Sequence, residues 1–281
     1  MANDGMREYW NSDQAVAWVR SQASYDTMLA PFADAVIDAA APLRGERVVD
    51  LGCGSGEMSR RAGTLVGPEG TVVGLDISEP MLDLARNLSS HLGQVEFRHC
   101  DVQTADLSAM SADLVTSRFG VMFFDDPVAA FANVVSGAAP GGRLAFACWR
   151  AVFENEWITV PMGAVIPMVG MPDVPEPGAP GPFQMSDAGF VCATLEAAGW
   201  HDVEVAPLDR GMRIGGAEDV DAAVGFLMAD GMARRLLEGK PDDVRAEARA
   251  ALREALVAHH SEGEGVVLGA AAWIVTARLR S

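Results

Sequence analysis

The stretch Val48–Ser59, VVDLGCGSGEMS, decides the fold of this 281-residue chain. Residues Arg47–Leu51, which include the first part of this stretch, predict a short buried strand. Gly52–Gly56 predict a glycine-rich turn, and the residues after the turn predict a helix. Glycine at alternate positions lets the backbone turn sharply and approach a ligand closely, because no Cβ stands in the way. The helix start adds free N–H groups and the positive end of its dipole, so the stretch predicts a ligand site.

The spacing of the turn separates it from the dinucleotide fingerprint G-x-G-x-x-G, because the position where that fingerprint needs its third glycine is Glu57. Asp50, directly before the turn, is an unfavourable neighbour for a pyrophosphate and suits a ligand with a cationic amino group. The pattern E/D-x-G-x-G-x-G over residues 50–56 resembles the first motif of class I S-adenosylmethionine (SAM)-dependent methyltransferases.

The composition indicates a globular, acidic protein with 49% hydrophobic residues and a formal net charge of −18. Nucleic-acid partners normally require a basic surface, and Lys240 is the only lysine, so no nucleic acid is expected to bind. No apolar run of about 18 residues occurs, so no membrane span is expected. The first residues, MANDGMREYW, show no basic region followed by an apolar stretch, so no secretory signal is expected. The scattered cysteines, without a C-x-x-C motif, favour reduced thiols and a cytoplasmic location.

Strand and helix signals alternate from residue 46 onward, as a doubly wound α/β fold requires. Before that point, aromatic and aliphatic residues at helical spacing predict helices, with a break or a new helix at Pro31. The predicted strands are Arg47–Leu51, Thr71–Leu75, Gln94–Arg98, Asp113–Ser117, Arg143–Trp149, Val203–Pro207 and Trp273–Leu279. Their continuous apolar character suits a parallel sheet that is covered on both faces.

Acidic residues lie after two of these strands. Asp76 closes the second strand about 24 residues beyond Gly52, where a carboxylate can accept hydrogen bonds from both ribose hydroxyls. A capping role is the alternative, although Ser78 already supplies the helix cap. Asp101, after the third strand, can accept a hydrogen bond from an adenine amino group or form a simple Asx turn.

Three further segments strengthen the resemblance: VVGLDIS (72–78), DVQT (101–104) and PGGRLAFACWR (140–150). Over residues 8–160 the chain resembles bacterial class I methyltransferases of the ubiquinone/menaquinone-biosynthesis type. The resemblance implies SAM as cofactor and a Rossmann-like, doubly wound sheet of seven strands in the order 3-2-1-4-5-7-6, with an antiparallel last strand and a helical cap. The implied SAM-binding residues are Asp50, Gly52, Cys53, Gly54, Ser55 and Gly56 for the methionine part, Asp76 for the ribose, Ile77, Asp101 and Val102 for the adenine, and the backbone around Ser117 for the amino group.

On this basis we expect five regions. They are an N-terminal helical lid (1–45), a SAM-binding core (46–150), a cap loop and helix with the sixth strand (151–216), a helical insert (217–262) and the last strand (263–281). We expect a monomer or a homodimer.

Aromatic residues after the strands, and in the lid, predict a pocket for a small, partly apolar acceptor molecule. The residues expected to line it are Trp10, Trp18, Arg118, Phe119, Trp149, Arg150, Phe153 and Trp157. Methyl transfer to O, N or C is the expected reaction, in which alignment of nucleophile and methyl within about 3–3.5 Å does most of the work. The alternative is a SAM-binding protein without methyl transfer, acting as a cyclase, a sensor or a partner.

Two sets of side chains remain open to more than one interpretation. His259 and His260 precede the antiparallel last strand, which predicts them at the active-site edge as candidate general bases. The alternative, which is preferred, is that they end a surface helix, where a cationic ring is favoured by the dipole. Asp125 and Asp126 before Pro127 suggest either a magnesium site or a helix N-terminus, and the second interpretation is preferred, so no metal is expected.

Overall fold

The computed structural model describes residues 3–173, 176 and 178–280. The expected cap loop therefore lies partly outside the described residues, as do the outer ends of the first and last expected regions. The helices are α1 (Asp4–Tyr9), α2 (Asp13–Arg20), α3 (Gln22–Ala40), α4 (Glu57–Val66), α5 (Glu79–Leu88), α6 (Pro127–Gly137), α7 (Glu156–Val169), α8 (Ala188–Ala197), α9 (Val220–Ala229), α10 (Met232–Leu236) and α11 (Asp242–Val257). The strands are β1 (Arg47–Leu51), β2 (Thr71–Asp76), β3 (Val95–His99), β4 (Ala112–Arg118), β5 (Ala138–Trp149), β6 (His201–Arg213), β7 (His260–Ser261) and β8 (Gly265–Arg278).

The main sheet has the order β3-β2-β1-β4-β5-β8-β6, with β8 antiparallel to both of its neighbours. The predicted strand order and the antiparallel last strand are thus confirmed. The last strand is the eighth in the chain because the two-residue β7 pairs with its first residues. The strands β1 to β5 run parallel, so the loops after β1, β2, β3, β4 and β5 meet at one edge.

Consecutive residues of β1 pack into different hydrophobic clusters, which explains why the strand is apolar throughout. Val48 lies in a cluster with Ala62 and Val66 of α4, whereas Val49 lies in the main core with Phe131 of α6. Since successive side chains of a strand point to opposite faces, both faces of the sheet are covered.

The helix α3 runs through Pro31 without interruption, contrary to the predicted break. Its next residues, Phe32 and Ala33, are fully buried in the main core. Packing of this face compensates for the backbone hydrogen bond that proline removes from a helix interior.

The outer strands β6 and β8 are much longer than the sequence predicts. Ala272 is the β8 residue opposite Trp149, the last residue of β5, and the seven residues Gly265–Ala271 continue beyond it. This part of β8 pairs with β6 as far as Arg213. At about 3.4 Å per residue, β8 extends roughly 24 Å past the end of β5 and β6 roughly 17 Å. Alanine and glycine are frequent in this part of β8, and such residues give a weak strand signal.

The expected helical insert consists of three helices, α9, α10 and α11, and ends at Val257. The helices α10 and α11 contact α7, and α9 contacts α11, so that these elements form one cap with α7. Within the described part of the chain, none of the helices is long and apolar enough to span a bilayer.

Candidate functional site

A cavity of about 490 Å³ opens at the edge of the sheet where the parallel strands end. The loops after β1, β2, β3 and β4, the lid helices and the cap all contribute to its wall. Among the predicted site residues it is lined by Asp50, Gly52, Cys53, Gly54, Ser55, Asp76, Ile77, Asp101, Val102, Trp10, Trp18, Arg118, Phe119, Trp149 and Trp157. One continuous space therefore joins the predicted cofactor residues to the predicted acceptor residues.

Two positions of the turn require glycine, both because their φ angles are positive and because neighbouring atoms leave no room for a Cβ. Gly52 has φ 60°, and a Cβ there would lie 2.7 Å from the Cα of Gly120 in the loop after β4. At Gly56 (φ 81°) a Cβ would lie 2.7 Å from the ring of Phe97. Gly56 does not line the described cavity, so its predicted direct contact with the ligand is not supported. Its lack of a Cβ instead lets α4 pack on Phe97 of β3.

Asp50 lies at the end of β1 and is 1% exposed. Its Oδ2 accepts a hydrogen bond of 2.6 Å from the Ser59 hydroxyl, while its Oδ1 accepts none from the described residues. Burial raises the pKa of this carboxyl to about 7, against the opposing effect of the Ser59 hydrogen bond. An orphaned, buried carboxylate oxygen beside a glycine turn fits a cationic amino group.

Asp76 holds the glycine turn as well as lining the cavity. Its Oδ2 accepts from the Gly54 N–H at 2.8 Å, and its Oδ1 accepts from the Ser78 N–H at 2.8 Å. Burial raises the pKa of this carboxyl, and these backbone hydrogen bonds oppose the shift. The carboxylate keeps lone pairs for further donors, as recognition of a ribose diol requires.

Asp101 is 6% exposed in the loop after β3, and its partner Asn3 was not among the predicted site residues. The Asn3 side-chain amide donates to Asp101 Oδ1 at 2.8 Å, and the Gln103 N–H donates to the same oxygen at 2.9 Å. The second oxygen, Oδ2, accepts no hydrogen bond from the described residues and lies 3.5 Å from the Arg7 guanidinium. The helix-capping residue type of Asn3, before an acidic α1, is the only sequence signal that marks it.

Arg118 lines the cavity, but its charge is already paired. The guanidinium is hydrogen-bonded to Glu57 at the start of α4 and lies 3.8 Å from Asp26 in α3. Burial lowers the pKa of Arg118, and the neighbouring carboxylates oppose this. This buried ion pair gives Glu57, the residue after the glycine turn, a structural role: it joins the start of α4 to the end of β4.

Two sets of packed aromatic side chains form a large part of the cavity wall. The rings of Phe119 and Trp149 stack at 3.8 Å, and Trp157 lies 5.0 Å from Trp149. Elsewhere in the wall Trp18 stacks on Tyr25 at 3.8 Å, and Trp10 contacts Trp18 edge to face. Further apolar wall residues, which were not predicted from the sequence, are Met28, Phe123, Met212, Ile214, Phe226 and Leu227.

The lid and the cap meet at Asp230, which lies between α9 and α10, lines the cavity and is 7% exposed. Its carboxylate accepts hydrogen bonds from Arg20 and, at 2.5 Å, from the Ser21 hydroxyl. The Tyr25 hydroxyl donates to the Asp230 carbonyl at 2.9 Å, and burial raises the pKa of Tyr25. No local pattern marks Asp230, because its partners lie in the segment from α2 to α3.

Three other predicted side chains lie away from the cavity in the described structure. Ser117 is fully buried and donates to the Leu51 carbonyl at 2.7 Å, so that its side chain supports the turn from behind. Arg150 is engaged by Glu154 and Asp209, and Phe153 is 89% exposed. The predictions that Arg150 and Phe153 line the pocket are wrong because β5 ends at Trp149 and the chain turns outward into a 3-10 turn at Val152–Glu154.

The predicted position of His259 and His260 beside the methyl donor is also not met. Neither lines the described cavity, and His260 is exposed with its Nε2 3.1 Å from the Glu218 carbonyl. Both residues do precede the antiparallel strand β8, but β8 starts seven residues beyond the end of β5, so the histidines lie at its outer end. Asp125 and Asp126 have local roles: Asp125 contacts Asn3, and Asp126 caps α6 by accepting from the Ala129 N–H at 3.0 Å.

Comparisons with known proteins agree with this geometry. Residues 48–142 match the family model described as "Methyltransferase domain". The chain is 32% identical to nocamycin O-methyltransferase of Saccharothrix syringae over 89% of this chain and 91% of that protein. It is 34% identical to aklanonic acid methyltransferase DauC of Streptomyces sp. (strain C5), over 46% of this chain and 62% of that protein.

A shorter match, 33% identical, covers 36% of this chain and 41% of the ubiquinone/menaquinone biosynthesis C-methyltransferase of Saccharophagus degradans. Among solved structures, the YcgJ protein of Bacillus subtilis superimposes with a TM-score of 0.57 at 16% identity, covering 89% of this chain and 98% of that one. The structural match supports the fold alone.

The fold and the glycine-turn site define a Rossmann-like methyltransferase. The chain belongs to the class I SAM-dependent methyltransferases, and SAM is its cofactor. The predicted family, fold, enzyme class and cofactor are confirmed.

Proposed function

We propose that this enzyme methylates a small, planar and partly apolar metabolite, held between the lid, the cap and the loops after β4 and β5. The observation that carries the proposal is the continuity of the cavity, in which the aromatic wall around Phe119 and Trp149 adjoins the glycine turn. The names of two relatives specify small secondary metabolites, nocamycin and aklanonic acid, as what those proteins act on.

The assignment of SAM-binding residues rests on the chemistry of the donor and acceptor set. We propose that Asp50 Oδ1 accepts from the amino group of SAM, that Asp76 receives the ribose hydroxyls, and that Asp101 Oδ2 accepts from the adenine amino group. Asp50 Oδ1 and Asp101 Oδ2 are buried and accept no hydrogen bond from the described residues, although the Arg7 guanidinium lies 3.5 Å from Asp101 Oδ2. Both residues line the cavity.

When bound, SAM supplies an electrophilic methyl group on a sulfonium that is already a good leaving group. The residues of the chain then need to align the acceptor and exclude water, which the aromatic walls and the Asp230 contact between lid and cap support. We propose catalysis by proximity, without a histidine base.

The proposal is tested by incubating the protein with SAM and a panel of planar hydroxylated or carboxylated metabolites. Release of S-adenosylhomocysteine with a matching methylated product is the expected result. The panel also includes a metabolite extract. If the protein binds SAM but releases no S-adenosylhomocysteine with any member of the panel, the non-catalytic alternative is favoured.

The ribose assignment has its own test in Asp76→Ala, which should weaken SAM binding by roughly 1.5–3 kcal/mol, the range for hydrogen bonds to a charged group. Asp113→Ala is the matched control, since its carboxylate pairs with Arg47 on a partly exposed surface and does not line the cavity. Calorimetry on both folded variants decides the assignment: equal, small effects would refute it.

We further propose that the enzyme acts in the cytoplasm as a monomer or homodimer and binds no nucleic acid. The net charge of −18 supports the absence of nucleic-acid binding, and the four free thiols support the cytoplasmic location. Sedimentation at several protein concentrations would determine the oligomeric state.

A further inference from the structure

Asn3 is the residue that connects the N-terminal lid to the loop carrying Asp101. It is 2% exposed, although it lies directly before a six-residue helix in the lid. It adopts a left-handed conformation, with φ 56°, which is uncommon for a residue other than glycine but tolerated by asparagine. Burial of such a residue needs full use of its hydrogen-bonding groups.

Each polar group of the Asn3 side chain has a partner. The Oδ1 atom accepts from the Asp125 N–H at 2.7 Å, and the Nδ2 atom donates to Asp101 Oδ1 at 2.8 Å. The Asn3 N–H donates to the Asp125 carboxylate at 2.5 Å. Asn3 therefore bridges two loops of the cavity edge, one after β3 and one after β4.

The consequence concerns which oxygen of Asp101 is left available. Asn3 and the Gln103 N–H both occupy Oδ1, so that rotation of the carboxylate would break two hydrogen bonds. The remaining oxygen, Oδ2, accepts no hydrogen bond from the described residues, and the Arg7 guanidinium forms an ion pair with it at 3.5 Å. A fixed acceptor suits an exocyclic amino group, because it presents one lone-pair direction at low entropic cost.

We infer that Asn3 is a positioning residue for cofactor recognition: it orients Asp101 so that the carboxylate reads the 6-amino group of the adenine. The inference rests on the proposed role of Asp101. It also gives the lid a part in recognising the cofactor, since adenine selectivity depends on a residue of the N-terminal segment.

The test measures selectivity, defined as the ratio of dissociation constants for two ligands: an S-adenosylhomocysteine analogue with purine in place of adenine, and S-adenosylhomocysteine itself. In the unmodified protein the ratio should be about ten, the effect of one hydrogen bond to a charged acceptor. Asn3→Ala should lower the ratio to about two or less. Asn3→Asp, which keeps the shape and, when ionised, accepts hydrogen bonds without donating them, should lower it equally.

Asn11→Ala is the matched control for loosening of the lid. Its side chain donates to the Ile77 carbonyl at 2.9 Å and accepts from the Glu79 N–H at 3.1 Å, without contacting Asp101. The change should weaken both ligands by the same factor and leave the ratio near ten. An equal fall in the ratio for Asn11→Ala would show that general loosening is responsible, and would overturn the inference.

Asp101→Asn separates failure of this inference from failure of the site assignment. Thermal unfolding first shows that both Asn3 variants are folded. If Asp101→Asn then removes the selectivity while both Asn3 variants retain it, Asn3 has no positioning role. If Asp101→Asn itself leaves the ratio unchanged, Asp101 does not read the adenine and both assignments are wrong. If Asn3 acts only through Asp101, the double variant Asn3→Ala/Asp101→Asn should lower the ratio no further than Asp101→Asn alone; a larger fall would contradict the inference.

Discussion

Asp50 is a buried carboxyl whose charge depends on the group that binds beside it. Its pKa is raised from 3.8 to about 7 by burial, which outweighs the Ser59 hydrogen bond and the charge of Arg118. A cation at the orphaned Oδ1 favours the ionised form and lowers this pKa again. Binding of an ammonium group and loss of the proton are therefore linked.

We predict that SAM affinity falls as the pH is lowered through 7, because the carboxyl must ionise to accept the cation. The ionised fraction drops from about one half at pH 7 to about one tenth at pH 6, so the affinity should fall about fivefold. The amino group of SAM, with an ordinary pKa near 8, stays cationic across this range. Calorimetry in buffers of different ionisation enthalpy should also show proton release near pH 7.

Asp50→Asn is the variant that checks this assignment. It should bind SAM weakly and with no pH dependence between about pH 6 and 7, because no proton is lost on binding. If the variant keeps the pH profile of the unmodified protein, another group titrates and the cation site is elsewhere.

The segment from β1 to α4 depends on a backbone contact rather than on side chains alone. Gly52 and Gly120 approach so closely that the loops after β1 and β4 pack main chain to main chain. The Asp76 carboxylate and the Ser117 hydroxyl hold this segment through further hydrogen bonds. The element is rigid for these reasons, and rigidity lowers the entropic cost of binding.

We predict that Gly52→Ala reduces the free energy of unfolding and abolishes measurable SAM binding. The left-handed conformation costs about 1–2 kcal/mol with a Cβ, and overpacking against Gly120 adds about 1–3 kcal/mol. Chemical denaturation and calorimetry measure the two effects.

Gly225→Ala provides the contrast, since this glycine lies inside α9, has an ordinary φ and has nothing within 4 Å of the added Cβ. It should raise stability by about 0.5–1 kcal/mol through the helix propensity of alanine. A loss of similar size in both variants would mean that space at Gly52 is not the determinant.

At the level of the whole molecule, the long β6–β8 pair separates the last connection from the reaction site. Because β8 begins seven residues before the position opposite Trp149, β7 and the two histidines lie at the outer end of the extension. The same extension still contributes Met212 to the cavity wall.

We predict that His259→Ala and His260→Ala change turnover on the acceptor by less than about threefold, well below the 10²–10⁴-fold effect of a general base. Trp157→Ala is the positive control, because its ring lines the cavity and contacts Trp149. It should raise KM for the acceptor while SAM affinity stays unchanged. A hundredfold loss of kcat in either histidine variant would restore the base hypothesis.

The charge of the whole molecule leads to one more prediction. A net charge of −18 should repel polyanions, so neither tRNA nor duplex DNA should shift in a gel at physiological ionic strength. The decisive comparison is a titration at low and high salt: a complex that weakens steeply with salt would reveal a basic surface and contradict the prediction.

Local patterns were sufficient for the core. The bounds of β1 and the start of α4 could be read from a hydrophobic run and the glycines beside it, and the family resemblance supplied the order of the sheet. Asp50, Asp76 and Asp101 were found because parallel strands bring the residues at their carboxyl ends to one edge. These features are readable because each is a pattern within a few residues.

The sequence by itself thus determined the core fold, the cofactor edge and the aromatic character of the pocket, since period and turn chemistry are local. Only the tertiary structure decided how the site is closed. Asn3 meets Asp101 across 98 residues, and Tyr25 meets Asp230 across 205. The position of the histidines likewise depended on how far β8 pairs with β6. Contacts of this kind arise from the packing of the whole chain, and no short-range pattern specifies them.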